Sequence, residues 1–293
     1  MRKVKLAWST QTAVFLVPHV GLQAGIFQKH NIDPELIYTR DGPTAIAALV
    51  GGDTQFAELA DPSVTTSALA GSGVEWAAVS VPKPNLALFT HPDIASVEAL
   101  KGKSLGVTSL GSLTSLFAEV VLRQHGLDPK TDVHVIAVGG GLEAQAAILN
   151  NRVDAIITAP DTPLPGQKIL VDLRTGYDFP QGGLVITKAF AGKDPQLVQD
   201  MVAAFAESVQ RFKTDRTLSE QIITKEFNRT DPNAVHSEYD GAVAALSSDV
   251  MPTTAQMKTV LDMLAPGNPK AKDADPAGFF DARFATAAKQ TGS

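Results

Sequence analysis

Two aspartates stand where strand-like runs give way to loops: Asp61 follows Gln55 to Leu59, and Asp161 follows Ile156 to Pro160. Each is a possible acid or base, and no other carboxylate is as well placed for such work. An aspartate ahead of Pro62-Ser63 is also a natural helix cap, with proline in the first helical position, and capping is the simpler role. Ser109-Leu110-Gly111-Ser112-Leu113-Thr114 offers hydroxyls, small residues and a helix start. Such an end presents unpaired N–H groups and a positive dipole, suited to carboxylate, sulfonate, nitrate or phosphate. The dipole is worth only ~0.3–1 kcal/mol when exposed and ~2 kcal/mol when partly buried, so it needs a closed cleft to matter. Asp41-Gly42-Pro43-Thr44 has the same character. Trp8 ends a strand-like run as either a cleft wall or a core anchor, and Ser9 and Thr10 follow as polar contacts. Arg40 suits a carboxylate clamp, although an exposed loop cation is the simpler reading. Gly139-Gly140-Gly141 reads as an anion-binding nest or a plain turn, and Gln181-Gly182-Gly183 as hinge, ligand contact or both.

Other chemistry is excluded. The six histidines show neither HxH nor HExxH spacing, and GxSxG, GxxxxGK[ST] and GxGxxG are all missing. With no cysteine there is no thiol catalysis, redox pair or cysteine-ligated metal. We therefore expect no catalytic residue, cofactor or metal. Twenty-five basic against 31 acidic residues give a net charge of −6, which disfavours nucleic acid and anionic membranes as partners.

The positioning elements follow an α/β pattern. Strands are expected over Val4–Trp8, Leu36–Tyr38 and Gln55–Leu59, with helices over 13–29, 43–50 and 62–70. The order repeats about a hundred residues on: Leu105 to Thr108, a helix over 113–125, and a last strand ending at Ala159-Pro160-Asp161. His30-Asn31-Ile32-Asp33-Pro34 is echoed by His125-Gly126-Leu127-Asp128-Pro129, and both histidines fall at helix C-termini, a structural position. The extended segments 79–89 and 182–188 read as two crossovers between similar lobes, the second lobe inserted in the first. The expected lobes are 1–84 with 184–293, and 85–183. A helical tail follows, with Val198, Met201, Val202, Phe205 and Val209 on one stripe of the helix beginning at Pro195.

Several stretches resemble the type II periplasmic solute-binding proteins of ABC importers, in the branch serving nitrate, alkanesulfonates, taurine and thiamine pyrimidine precursors. These are Gly21 to Ile32, similar to the family's A-x-x-x-G-x-F-x-x-x-G-L helix; Ala48 to Asp53; Val97 to Val107, similar to D-L-K-G-K-x-I-G-V; and Asn151 to Ala155, similar to G-x-V-D-A. Asn31 replaces the usual glycine. The resemblance implies two mainly parallel sheets flanked by helices and joined by a two-strand hinge. It further implies a monomeric receptor without chemistry of its own, which closes on a small anionic or aromatic molecule and delivers it to an ABC permease in the membrane. Expected ligand contacts are Trp8, Ser9, Thr10, Arg40, Asp61, Pro62, Ser63, Ser109, Gly111, Ser112, Leu113, Thr114, Pro160, Asp161 and Gly182. The expected location is periplasmic, with a cytoplasmic one as the alternative: Ser9 to Thr12 interrupts the apolar run a leader needs, so Met1 to Trp8 is read as the first strand. Some relatives build the thiamine pyrimidine from their own histidine with a cysteine-rich segment. Phe15 near the place of that histidine and the absence of cysteine argue against it, leaving a stand-alone decarboxylase or isomerase as the enzymatic alternative.

Overall fold

The computed structural model describes residues 1–161 and 163–291. The first part of the chain runs β1 (Arg2–Trp8), α1 (Val17–Gln23), α2 (Ile26–Lys29), β2 (Ile32–Tyr38), α3 (Gly42–Gly51), β3 (Phe56–Leu59), α4 (Ser63–Leu69) and β4 (Val74–Trp76). The middle part runs β5 (Ala87–Thr90), β6 (Ser104–Val107), α5 (Leu113–Gln124), β7 (His134–Ala137), α6 (Leu142–Leu149), β8 (Ala155–Thr158), β9 (Lys168–Asp172) and β10 (Gly183–Thr187). The tail is helical: α7 (Lys188–Lys193), α8 (Pro195–Thr214), α9 (Arg216–Glu226), α10 (Pro232–Ala245), α11 (Thr254–Leu264), α12 (Pro269–Lys272) and α13 (Ala282–Thr291).

These strands form two five-stranded sheets of the same plan, β2-β1-β3-β10-β4 and β7-β6-β8-β5-β9. The first three strands of each are parallel, and the fourth, β10 or β5, runs antiparallel to both neighbours. The repeat read in the sequence is thus a repeat of topology. Two antiparallel crossings join the lobes: Val81 N donates to Gly182 O at 3.0 Å, Gln181 N to Val81 O at 2.9 Å and Phe179 N to Pro82 O at 3.0 Å.

The segment expected as one helix over 13–29 is broken. A 3-10 turn covers Ala13–Leu16, and Gly25 at φ 70° separates α1 from α2. That left-handed conformation carries little penalty for glycine and ends the first helix. Short β4, β7 and β9 escaped the sequence reading, β7 and β9 because they are largely solvent-facing edge strands without a long apolar run. On α8 the apolar stripe Val198, Met201, Val202, Phe205, Val209 is buried in the core behind the first sheet with Trp8, Phe15, Phe27 and Leu184. Helix α11 straddles the lobes: Met257 and Leu261 pack with Trp76 and Leu59, whereas Val260 packs with Phe117 and Phe179 of the second lobe.

Candidate functional site

The carboxyl ends of β1, β3, β6 and β8 face one another across the gap between the sheets, and a small cavity of ≈ 50 Å³ lies there. Ser9, Thr10, Thr12 and Phe15 from the loop after β1, with Gly42 and Ala60, form one wall. Thr108, Ser112, Leu113, Thr114, Gly141 and the strand end Ile157-Thr158-Ala159 form the other, and Leu86 and Gln181 come from the crossings. Ligands of open α/β sheets gather at such strand ends.

Three helix N-termini reach this cavity: α3 at Gly42, α5 at Ser112 to Thr114 and α6 at Gly141. They differ in charge. Asp41 caps α3 by accepting from Thr44 N at 2.8 Å, and α6 carries Glu143 in its first turn. Helix α5 has no acid in its first turn and is capped by Ser112 alone. The N–H groups of Leu113 and Thr114 have no acceptor within their helix, so α5 is the end whose partial positive charge is left for a ligand. A chain of hydroxyls holds that end in shape. Ser112 Oγ donates to Ser109 O at 2.6 Å, while Thr114 Oγ1 accepts from Thr108 N at 2.8 Å and lies 3.1 Å from Ser112 Oγ. Among the described residues the lining contains hydroxyls, one amide and apolar groups, with no Asp, Glu, His, Lys or Arg. Thr12 Oγ1 in the lining and Ser109 Oγ beside it are buried without a hydrogen-bond partner.

Gln181 is fixed by the crossings, its Oε1 accepting from Asn85 N. Where the lobes meet, they meet through glycine. A Cβ on Gly141 would overlap Gln11 O, and one on Gly241 of α10 would overlap Asp161 Oδ2. Arg229, ahead of α10, pairs with buried Glu238 and donates across the gap to Gln145 Oε1 of α6 at 3.2 Å.

Of the contacts expected from the sequence, Ser9, Thr10, Ser112, Leu113 and Thr114 line the cavity. Trp8 lies behind it in the core, its ring 4.7 Å from that of His19 and 4.6 Å from that of Tyr38. Burial lowers the His19 pKa to about 4, and burial with Glu143 raises that of Tyr38 to about 12. Arg40 is exposed, in a left-handed turn at φ 70°. Asp61 is wholly buried and accepts from Thr65 N at 2.8 Å and Trp76 Nε1 at 2.9 Å. Burial raises its pKa to about 6 against those two donors. Helix α4 starts at Ser63 with Pro62 as the cap residue, and Ser63 Oγ sits under Gly42. Ser109 and Gly111 border the lining at the start of α5, and Gly182 adjoins Gln181 in the crossing. Pro160 and Asp161 border a separate groove between the crossings and α10, shared with Lys83, Arg174 and Asp240. Burial raises Asp161 to about 7.

Lining residues not named as ligand contacts from the sequence include Thr12, Phe15, Leu86, Ile157 and Thr158; Phe15 fell inside the expected helix over 13–29, whereas a 3-10 turn over Ala13–Leu16 carries it to the cavity. One further group carries no sequence signal. Glu58 in β3 is fully buried, and both its carboxylate oxygens lack a partner. Burial raises its pKa well above the usual carboxylate range, which favours the neutral form. An unpaired buried polar group costs ~1–3 kcal/mol. His30 and His125, both at helix C-caps, pair with Glu207 at 3.1 Å and Glu98 at 2.8 Å, well away from the lining.

Among the described residues no helix is long and apolar enough to cross a membrane. No curated protein matches the sequence. Among solved structures, a protein of Bordetella bronchiseptica RB50 superposes with a TM-score of 0.86 at 24% identity, covering 100% of this chain and 98% of that one. The periplasmic aliphatic sulphonate-binding protein SsuA of Escherichia coli gives 0.75 at 18% identity, covering 95% and 97%. The periplasmic nitrate-binding protein NrtA of Synechocystis PCC 6803 gives 0.78 at 14%, covering 99% and 89%. The fold is that of the type II periplasmic binding proteins. The family model described as NMT1/THI5 like matches residues 13–215, from the broken first helix through both sheets into the tail, and the chain belongs to that family.

Proposed function

We propose that this chain is the extracytoplasmic solute-binding component of an ABC importer, closing its two lobes on a compact anion and delivering it to a membrane permease. The reading is carried by one observation: the N-terminus of α5, with no acid in its first turn, opens into a hydroxyl-lined cavity without a charged side chain among the described residues. Helix N–H groups and hydroxyls bind anions without a counter-cation, and binding in a narrow cleft raises their worth. Ser9, Thr10, Thr12, Ser112, Thr114 and Gln181 are the proposed polar contacts. The moving bodies are residues 1–84 with 184–293, and 85–183, acting as a monomer. Ligand binding favours the closed form through the contacts it makes only there. A lining without acid, base or activated nucleophile supports a receptor over an enzyme.

The names of the structural neighbours put sulfonates and nitrate first among candidate ligands. The test is a thermal-shift screen with nitrate, alkanesulfonates, carboxylates, aromatic acids and pyrimidines. A ligand at 100 times its Kd stabilises by ~2.7 kcal/mol, which is readily seen. We expect at least one anion to shift the melting temperature, with the shift lost in Ser112→Leu. Mass spectrometry of each hit after incubation should return it unchanged. A new product, or a set of hits confined to cations, would overturn the reading.

A further inference from the structure

A hydroxyl group carries a single proton, so the side-chain donors left free at the start of α5 can be counted. Ser112 Oγ spends its proton on Ser109 O at 2.6 Å and accepts from Ser109 N and Ser115 N at 3.3 and 3.4 Å. Thr114 Oγ1 accepts from Thr108 N at 2.8 Å and donates to Thr108 Oγ1 at 3.2 Å. Neither proton remains for a ligand. Thr108, the residue after β6, ends this chain of hydroxyls: its Oγ1 accepts from Thr114, and its own proton has no acceptor among the described residues. The same side chain lines the cavity where the two lobes converge. A Cβ added to Gly140 would lie 3.4 Å from Thr108 Cγ2, 3.9 Å from Thr108 Oγ1 and 3.9 Å from Thr10 Cγ2 of the first lobe. In a chain where each hydroxyl accepts before it donates, the last O–H is polarised, and its bond to an anion is stronger than one between neutral groups.

We infer that Thr108 is a specificity-determining residue of the second lobe: its hydroxyl donates to the bound anion at an oxygen that the N–H groups of Leu113 and Thr114 leave open. The inference rests on the anion reading above and deepens it. Two N–H groups serve two oxygens, so the hydroxyl counts most for an anion that has a third. Ser112 and Thr114 touch the ligand without giving it a side-chain proton. Their hydroxyls instead occupy one acceptor site on Thr108 and turn its proton toward the cavity. Valine at 108 keeps the branched shape and the backbone N–H bond to Thr114 while removing the donor.

The experiment is calorimetry with two pairs of probes, ethanesulfonate against propionate and nitrate against acetate, on the wild type, Thr108→Val and Thr108→Ser. For the wild type we expect the three-oxygen member of each pair to bind at least tenfold tighter. In Thr108→Val that ratio should fall below threefold, almost wholly through weaker binding of ethanesulfonate and nitrate. Thr108→Ser, which keeps the hydroxyl, should recover the preference. Circular dichroism and the melting temperature of each ligand-free variant confirm that it folds. A hydroxyl with a structural role only would weaken both members of a pair alike and leave the ratio standing, which overturns the assignment, as does a wild type that binds the probes without preference. Failure of these four probes alone, with another anion of the thermal-shift screen bound, sinks the role of Thr108. Failure of every anion in that screen sinks the site reading beneath it.

Discussion

Gly241 of α10 lies so close to the carboxylate of Asp161 that any side chain at 241 would collide with Oδ2. One residue belongs to the tail of the chain and the other to the loop after β8, so the clearance between two lobes is set here by a missing methyl group. Alanine at 241 should therefore act on closure. Within α10 the change favours the helix by ~1 kcal/mol, so the fold does not suffer. We expect Gly241→Ala to weaken ligand binding at least tenfold with melting unchanged or slightly raised. Small-angle scattering with saturating ligand should show a larger radius than the wild type. Tight binding with an unaltered radius would remove this contact from the closing surface.

Ser112 caps α5 through its Oγ, with Ser115 N donating at 3.4 Å, and also lines the cavity. Leucine in its place costs ~1 kcal/mol for the lost cap and fills the space before the first-turn N–H groups. We expect a Kd at least tenfold higher by calorimetry and a melting temperature lowered by only a few degrees.

Arg229 and Glu238 form a pair with side chains 17% and 7% exposed. Removing the cation strands a buried acid, at a cost of about 3 kcal/mol. Urea denaturation of Arg229→Met should show that loss, and Glu238→Gln in the same chain should restore most of it. The cross-lobe bond to Gln145 is lost in both, so ligand affinity should stay reduced in the double variant.

Asp161 responds to pH in the opposite sense to a salt-bridged acid. Its folded pKa is raised to about 7 from 3.8 by burial. The native state thus holds a proton that the unfolded chain has released. Its contribution is full below pH ~4 and is lost as pH rises toward 7. Asp161→Asn should flatten the decline in unfolding free energy over that window, by on the order of 1–2 kcal/mol after screening. Denaturation at pH 4.5, 6 and 7.5 measures it, and a parallel offset at all three values would contradict the assignment.

The sequence made the paired α/β plan readable because both halves carry the same punctuation. His30 to Pro34 and His125 to Pro129 occupy equivalent turns, and the apolar runs of β1, β3, β6 and β8 are buried strands. The helix start at Ser112 was readable for the same reason, since a cap is a local signal. Thr12 and Phe15 were not, because their role depends on the 3-10 turn over Ala13–Leu16 and on a facing lobe. Glu58 was the least readable: between Ala57 and Leu59, only register shows it pointing into a core beside a cavity. Asp61 drew notice as a possible acid, yet three-dimensional packing surrounds it with Trp76 and Thr65.

The antiparallel fourth strands have a last consequence. All five strands of the second sheet lie between residues 87 and 172, whereas the first sheet needs β10, at 183–187, to join β3 to β4. During synthesis on the ribosome the inserted sheet therefore has all its strands while its host still lacks a central one. A chain ending between residues 77 and 182 leaves β4 without the strand it pairs with, so such an amino-terminal fragment is expected to be less stable than the whole lobe.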